Sequence, residues 1–288
     1  MSASTTHLRT VQADGLEIFY RESGNRDAPV VLLLHGFPSS SFQYRNLITK
    51  LADEGYRVVA PDLPGFGFTK VPESRNYVYT FDNFGKTIEA FVDALELKKY
   101  AIYIFDYGAP TGLRLAISRP SAITAIITQN GNAFEIGFGE PWKDFRTYWA
   151  EPCEENRQAL AYLLTFELTK YQHEAGEPHP PPPETYHLDQ ALLDRPGNAD
   201  VQLDLFLDYR TNVALYPTFH EYFKTHQPPL LAIWGKNDFV FIPPGADAYK
   251  SVLPKAEIHF VDGGRFPLEN HLDEMTGKMT EFLKRNGI

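Results

Sequence analysis

Short, continuously apolar runs alternate along this chain with longer stretches whose apolar residues recur every three to four positions. The clearest run is Val31–Leu34, four apolar residues without a break, as expected of a strand covered on both faces. Similar runs predict strands at Leu16–Arg21, Val30–Leu34, Arg57–Ala60, Tyr100–Phe105, Ile123–Thr128, Leu230–Trp234 and Ile258–Val261. Helical periodicity predicts helices at Phe42–Leu51, Thr80–Leu95, Gly108–Ser118 and Met275–Arg285. Strands alternating with helices point to an α/β fold with a mostly parallel sheet flanked by helices.

The alternation stops between about 131 and 227. That stretch is rich in aromatics and proline and poor in strand-like runs. Its segment Glu177–Glu184 carries five prolines and is expected to be a stiff, extended connector, because proline lacks an amide donor. The simplest organisation is a core at 1–133 and 227–288, split by a mainly helical cap at 134–226. The active site of such a sheet lies at the C-terminal ends of its strands, so the cap is expected to cover that edge.

Composition narrows the function. A chain of 288 residues with 43% apolar content can bury a sizeable core. Its net charge of -10 argues against a nucleic-acid surface and against an anionic membrane as partners. The single cysteine, Cys153, excludes an internal disulfide and a cysteine-based zinc site, and is read as a small side chain in a helical segment. The opening residues carry no apolar core of a secretory signal, and no run is long enough to span a bilayer. A cytoplasmic protein acting on a small molecule, without metal or other cofactor, is the expectation. Oligomeric state is not legible.

Chemistry concentrates where strands end. Phe105-Asp106-Tyr107-Gly108 passes from a buried strand into a helix, with Gly108 and Gly112 permitting a sharp turn and close packing. Such a turn thrusts its apex side chain into a site at a helix N-terminus, where dipole and free amides favour a carboxylate. Alone, Asp106 reads as a simple helix cap. His35-Gly36-Phe37-Pro38 follows the strand at Val30–Leu34, and its turn aims the Phe37 amide toward the same edge. With the Tyr107 amide it would form a pair of donors for a developing oxyanion or for the second oxygen of a carboxylate nucleophile. Asp62-Leu63-Pro64-Gly65-Phe66-Gly67 reads as a tight turn that Asp62 stabilises. Trp234-Gly235-Lys236-Asn237-Asp238 places another carboxylate after a strand, and Gly264-Arg265-Phe266 follows the last one.

Together these motifs, from Val30 to Glu269, resemble the alpha/beta-hydrolase fold family. The resemblance implies a nucleophile at Asp106, an orienting acid at Asp238 and a general base at position 265, in the family's chain order. It implies that His35 supports its loop. An aspartate nucleophile resembles the epoxide-hydrolase and haloalkane-dehalogenase branch. Dehalogenases there carry Asn after the His-Gly and Trp after the nucleophile; Phe37 and Tyr107 stand here, and His-Gly-Phe-Pro looks more like the epoxide hydrolases. Those use cap tyrosines as proton donors, for which Tyr216, Tyr209 and Tyr148 are the candidates.

One position departs from the pattern. The family reads Gly-His-Phe where this chain has Arg265. A guanidinium cannot accept a proton from water. It is expected instead to pair with Asp238, and with Asp106, and to keep both acids ionised. Three readings stay open: a hydrolase inactivated by substitution, a protein using the pocket without hydrolysis (an isomerase, cyclase or ligand binder), or a hydrolase with another base. His259, inside a strand, and His271, expected on a solvent-facing helix, are poorly placed to be that base.

Overall fold

A computed structural model describes residues 4–288. Eight strands form one sheet: β1 (His7–Ala13), β2 (Leu16–Ser23), β3 (Val30–Leu34), β4 (Arg57–Pro61), β5 (Tyr100–Phe105), β6 (Ile123–Gln129), β7 (Leu230–Gly235) and β8 (Glu257–Val261). Their spatial order is β1-β2-β4-β3-β5-β6-β7-β8. The first two pairings, β1 with β2 and β2 with β4, are antiparallel; all others are parallel.

The helices are α1 (Arg45–Asp53), α2 (Phe81–Ala94), α3 (Gly108–Ser118), α4 (Trp142–Ala150), α5 (Glu154–Ala159), α6 (Phe166–Glu174), α7 (Glu184–Leu193), α8 (Asn198–Asp208), α9 (Arg210–His226), α10 (Pro244–Ala248) and α11 (Leu268–Arg285). The period-two geometry of strands sorts the apolar runs onto two faces. Leu32, Leu34, Ile102 and Ile104 pack with residues of α2 and α3. Val31, Leu33, Tyr103 and Phe105 pack with residues of α1 and α11 on the other side. Both faces are covered, so the central strands are apolar throughout.

Four details differ from expectation. β1 is an additional strand: its residues are mostly exposed, so no apolar run marks it. Its signal is the turn Asp14-Gly15, both at positive φ (53° and 75°), the backbone that a two-residue hairpin requires. The last helix starts at Leu268, not Met275, and bends at His271, whose φ of -119° is non-helical. Cys153 caps the start of α5 instead of lying within a helix. His271 is half-buried, and its ring bonds the Asp262 carbonyl at 3.1 Å, because the bend folds it back onto the preceding turn.

Six helices, α4 to α9, are inserted between β6 and β7. The proline segment links α6 to α7 without helix. No helix among the described residues is long and apolar enough to cross a membrane.

Candidate active site

Because β3 to β8 run parallel, every loop that follows them opens at one edge of the sheet. Phe37, Asp106, Asp238 and Arg265 follow β3, β5, β7 and β8 and so meet there.

Asp106 sits at φ +48°, a left-handed backbone that an L-residue holds only when its surroundings impose it. The constraint is visible at Gly108, where a Cβ would stand 2.0 Å from the Leu34 carbonyl oxygen. Only glycine lets α3 begin so close to β3. Across the turn, a Cβ on Gly36 would meet Asp106 Oδ1 at 2.2 Å and the Tyr107 amide nitrogen at 2.5 Å. The two loops are therefore in contact at the carboxylate. The Phe37 amide donates to Asp106 Oδ1 at 2.6 Å, which fixes one oxygen. The Tyr107 amide lies beside it.

Arg265 takes the other oxygen. Its Nη2 donates to Asp106 Oδ2 at 2.5 Å and lies 3.3 Å from the Phe37 carbonyl. Nη1 is 3.8 Å from Asp238 Oδ2, beyond hydrogen-bond reach. The guanidinium carbon stands 5.5 Å from the ring centres of both Phe105 and Phe241. Arg265 Nε and Nη1 find no acceptor. The expected order of partners is thus reversed, with Asp106 close and Asp238 distant. The reason is reach: the longer side chain passes the distance at which a histidine would sit.

Electrostatics follows that geometry. Burial pulls the Arg265 pKa down, but the carboxylates of Asp106 and Asp238 outweigh it and hold it above the usual value. Asp238 is held less firmly in its ionised form than a pairing with Arg265 alone would give. Burial raises its pKa, and Arg265, acting from 3.8 Å, only partly opposes the rise. Asp238 also accepts from the Val240 amide and from Asn130 Nδ2, each at 2.8 Å. Asn130 is a site residue the sequence reading missed. It stands at positive φ just after β6, and its Oδ1 accepts from the Gly235 amide, so it ties β6 to the turn carrying Asp238.

His35 Nε2 accepts from the Leu63 amide at 2.9 Å, so Nδ1 carries the proton and faces the Gly36 carbonyl at 3.3 Å. That bond joins the loop after β3 to the Asp62 turn, whose carboxylate accepts from the Ser41 and Phe68 amides. Burial lowers the His35 pKa. Below its ordinary value of about 6.5 the unfolded chain binds a proton that the folded chain resists, so folding weakens as pH falls. Comparing denaturant unfolding of the parent and His35→Gln between about pH 7.5 and 5 should show the parent's advantage shrinking on acidification. A gap independent of pH would refute the lowered pKa of His35.

Above this edge lies a mainly apolar cavity of about 90 Å³. Its floor is Phe37, Asp106, Tyr107 and Arg265, and its roof includes Trp142 and Phe145 of α4, Leu168 and Gln172 of α6, and Phe206 of α8. An apolar cavity of ~150 Å³ holds benzene, so this one suits a smaller molecule. Among the described residues no cluster of side chains could hold a metal ion.

The three expected proton donors do not line it. Tyr209 packs against two lining residues, Trp142 at 4.5 Å and Tyr107 at 6.0 Å, and its hydroxyl, like that of Tyr216, has no hydrogen-bond partner. Tyr216 sits further off, beside Phe138 and His220. Tyr148 is buried within the insertion. Their rings are used as packing, which the aromatic density of the segment favours. Neither His259, in β8, nor His271 lines the cavity. A third histidine, His173, is buried with Asp189 at 2.9 Å and stacks on Phe266 at 4.0 Å, but it too stays out of the lining.

A family profile of the alpha/beta hydrolase fold matches residues 29–272. An uncharacterized hydrolase of Saccharomyces cerevisiae is 40% identical over 279 residues, covering 95% of each chain. Among solved structures, the haloalkane dehalogenase DatA of Agrobacterium tumefaciens superposes with a TM-score of 0.81 at 23% identity, covering 98% of this chain and 97% of its own. The epoxide hydrolase VrEH1 of Vigna radiata does so with 0.75 at 23% identity, covering 97% and 98%. With its sheet order, its sharp turn at Asp106 and a profile match over most of its length, the chain belongs to the alpha/beta hydrolase fold family.

Proposed function

We propose that Asp106 attacks carbon in a small, largely apolar epoxide, forming an alkyl-enzyme ester that this chain hydrolyses poorly. The observation that carries the reading is the carboxylate itself. It is buried, held at a strained turn, fixed through one oxygen by the Phe37 amide, and set in the floor of an apolar cavity. In that setting the ester would form by displacement, with the helical insertion acting as a cap that excludes water. Cleaving the ester needs a base to take a proton from water, and Arg265 cannot do so.

A halide leaving group is less well provided for. The roof contains an indole, but Trp142 Nε1 donates to the Val240 carbonyl at 3.0 Å. Neither Phe37 nor Tyr107 presents a side-chain N–H.

The test is intact mass of the parent after incubation with 1,2-epoxybutane and, separately, 1-bromobutane. A stable one-to-one adduct on Asp106 with the epoxide is expected, absent in Asp106→Asn. An unmodified chain with both reagents, or an adduct elsewhere, would overturn the reading.

One observation favours a second reading, ligand binding without chemistry. The 2.5 Å contact with Arg265 engages the oxygen that would attack, which lowers its nucleophilicity. Under that reading no adduct forms even when Arg265 is removed.

A further inference from the structure

The cavity above Asp106 is small, and a larger space adjoins it on the outside. Pro141, Tyr162 and Phe239 line both the cavity and a surface hollow of about 460 Å³, so the two spaces meet at one layer of side chains. The hollow lies between α4, α6 and the loop after β7. Its aromatic wall is open to solvent, Tyr162 being 43% exposed and Tyr171 53%. Phe239 is half-buried and packs on Tyr171, with ring centres 5.1 Å apart. Exposed apolar groups gathered beside a pocket mark a surface that a ligand covers.

Hollow and cavity differ in chemistry. The cavity is floored by the charged pair of Asp106 and Arg265. The hollow offers rings, and its rim carries both signs of charge, Glu140 and Asp144 against Lys143. A charged tail would find no partner of one sign there. The Tyr162 hydroxyl donates to Asp144 Oδ2 at 3.2 Å, which turns its polar end to that rim. Volume sets the other constraint. A cavity of about 90 Å³ takes about four heavy atoms, given that ~150 Å³ holds benzene. A group of that size buries too little apolar area to bind firmly by itself.

We propose that the hollow holds the far end of an elongated substrate, an unbranched chain whose reacting end fills the cavity at Asp106 and whose uncharged apolar tail passes Pro141, Tyr162 and Phe239 to rest on Tyr171. This rests on the alkyl-ester reading above and names the kind of molecule that carries the epoxide. The small volume over Asp106 selects a terminal, unbranched reacting end, and the aromatic hollow supplies the affinity that so small an end lacks. In the attack an Asp106 oxygen bonds to a ring carbon as the carbon–oxygen bond breaks. The epoxide oxygen keeps the electron pair, stays attached through the other carbon and takes its proton from water. The tail takes no part in that step; it contributes to binding alone.

Two measurements on the parent and Tyr171→Ser test this. Tyr171 lines the hollow and not the cavity, so its loss touches the tail alone. The first measurement is binding of the unreactive probes 1-butanol and 1-octanol, followed by tryptophan fluorescence, with Trp142 in the cavity roof. A fully buried methylene strengthens binding about fourfold. The four extra methylenes of 1-octanol are covered on one side only, so the parent should bind it roughly tenfold more tightly than 1-butanol. Tyr171→Ser should weaken 1-octanol about threefold, the share of one wall of the hollow, and leave 1-butanol and the melting temperature unchanged. The second measurement is the rate of Asp106 labelling by 1,2-epoxyoctane and 1,2-epoxybutane, followed by intact mass, where the longer epoxide should show the same advantage and the same loss. A parent that binds 1-octanol no better than 1-butanol would overturn the proposal. So would a Tyr171→Ser variant that weakens both alcohols alike, or neither. If neither epoxide labels the parent, the alkyl-ester reading fails, and the alcohol titrations still decide whether the hollow binds the tail.

Discussion

Arg265→His is expected to give multiple turnover of a small epoxide, about 100- to 10,000-fold faster than the parent, the usual range for a general base. Two effects add. The guanidinium now engages Asp106 Oδ2 at 2.5 Å, and its removal frees the attacking oxygen. An imidazole in its place can accept a proton from water, with Asp238 behind it as the orienting acid. The loop is already braced for the exchange. Gln129 Nε2 donates to the Arg265 carbonyl at 3.0 Å, and the Gly264 amide donates to Glu177 Oε1 at 2.8 Å, so neither backbone contact depends on the side chain. Product formation over time, for the parent, Arg265→His and Arg265→Ala, is the measurement. Arg265→Ala should not gain turnover, because it frees Asp106 without supplying a base. Equal turnover in the two variants would show that release of the ion pair, and not base catalysis, is what the arginine prevents.

Arg265→Ala should destabilise the fold by about 3 kcal/mol at neutral pH. Removing one member of a buried ion pair typically costs ~3–5 kcal/mol, because the partner charge is left alone. Arg265, Asp106 and Asp238 are each at most 3% exposed, so water screens them little. The lower end of the range is the expectation, since Arg265 Nε and Nη1 lack acceptors and the cation is itself imperfectly served. The penalty should shrink as pH falls. Without the cation nothing of its charge opposes the rise that burial gives the Asp238 pKa, so the folded chain binds a proton that the unfolded chain still lacks. Stability of the variant is then gained toward acid and lost as pH rises through the raised pKa of Asp238. Arg265→His should cost less, because imidazole can bond Asp238. Denaturant unfolding of the three proteins at several pH values is the check. A variant as stable as the parent at neutral pH would mean that the arginine is merely tolerated.

The sequence by itself determined the sheet and the place of the site. Val31–Leu34 and Tyr100–Phe105 are apolar along their whole length because both faces are covered, and that is visible in any register. Once the strands are parallel, Phe37, Asp106, Asp238 and Arg265 must share an edge, since each follows a strand end. The sharp turn at Gly108 was legible too, but its steric reason was not, because the Leu34 carbonyl that excludes a Cβ there lies on β3 and is brought up only by the fold. β1 was legible only through Asp14-Gly15, its residues being too exposed to form an apolar run. Tertiary structure alone decided the rest. Whether Arg265 reaches Asp106 or Asp238 depends on differences of about an ångström in reach, which spacing along a chain does not encode. Which aromatics face the cavity depends on how α4 to α9 rotate about their axes. In a segment with tyrosine, tryptophan and phenylalanine on most faces, no periodicity separates lining from packing.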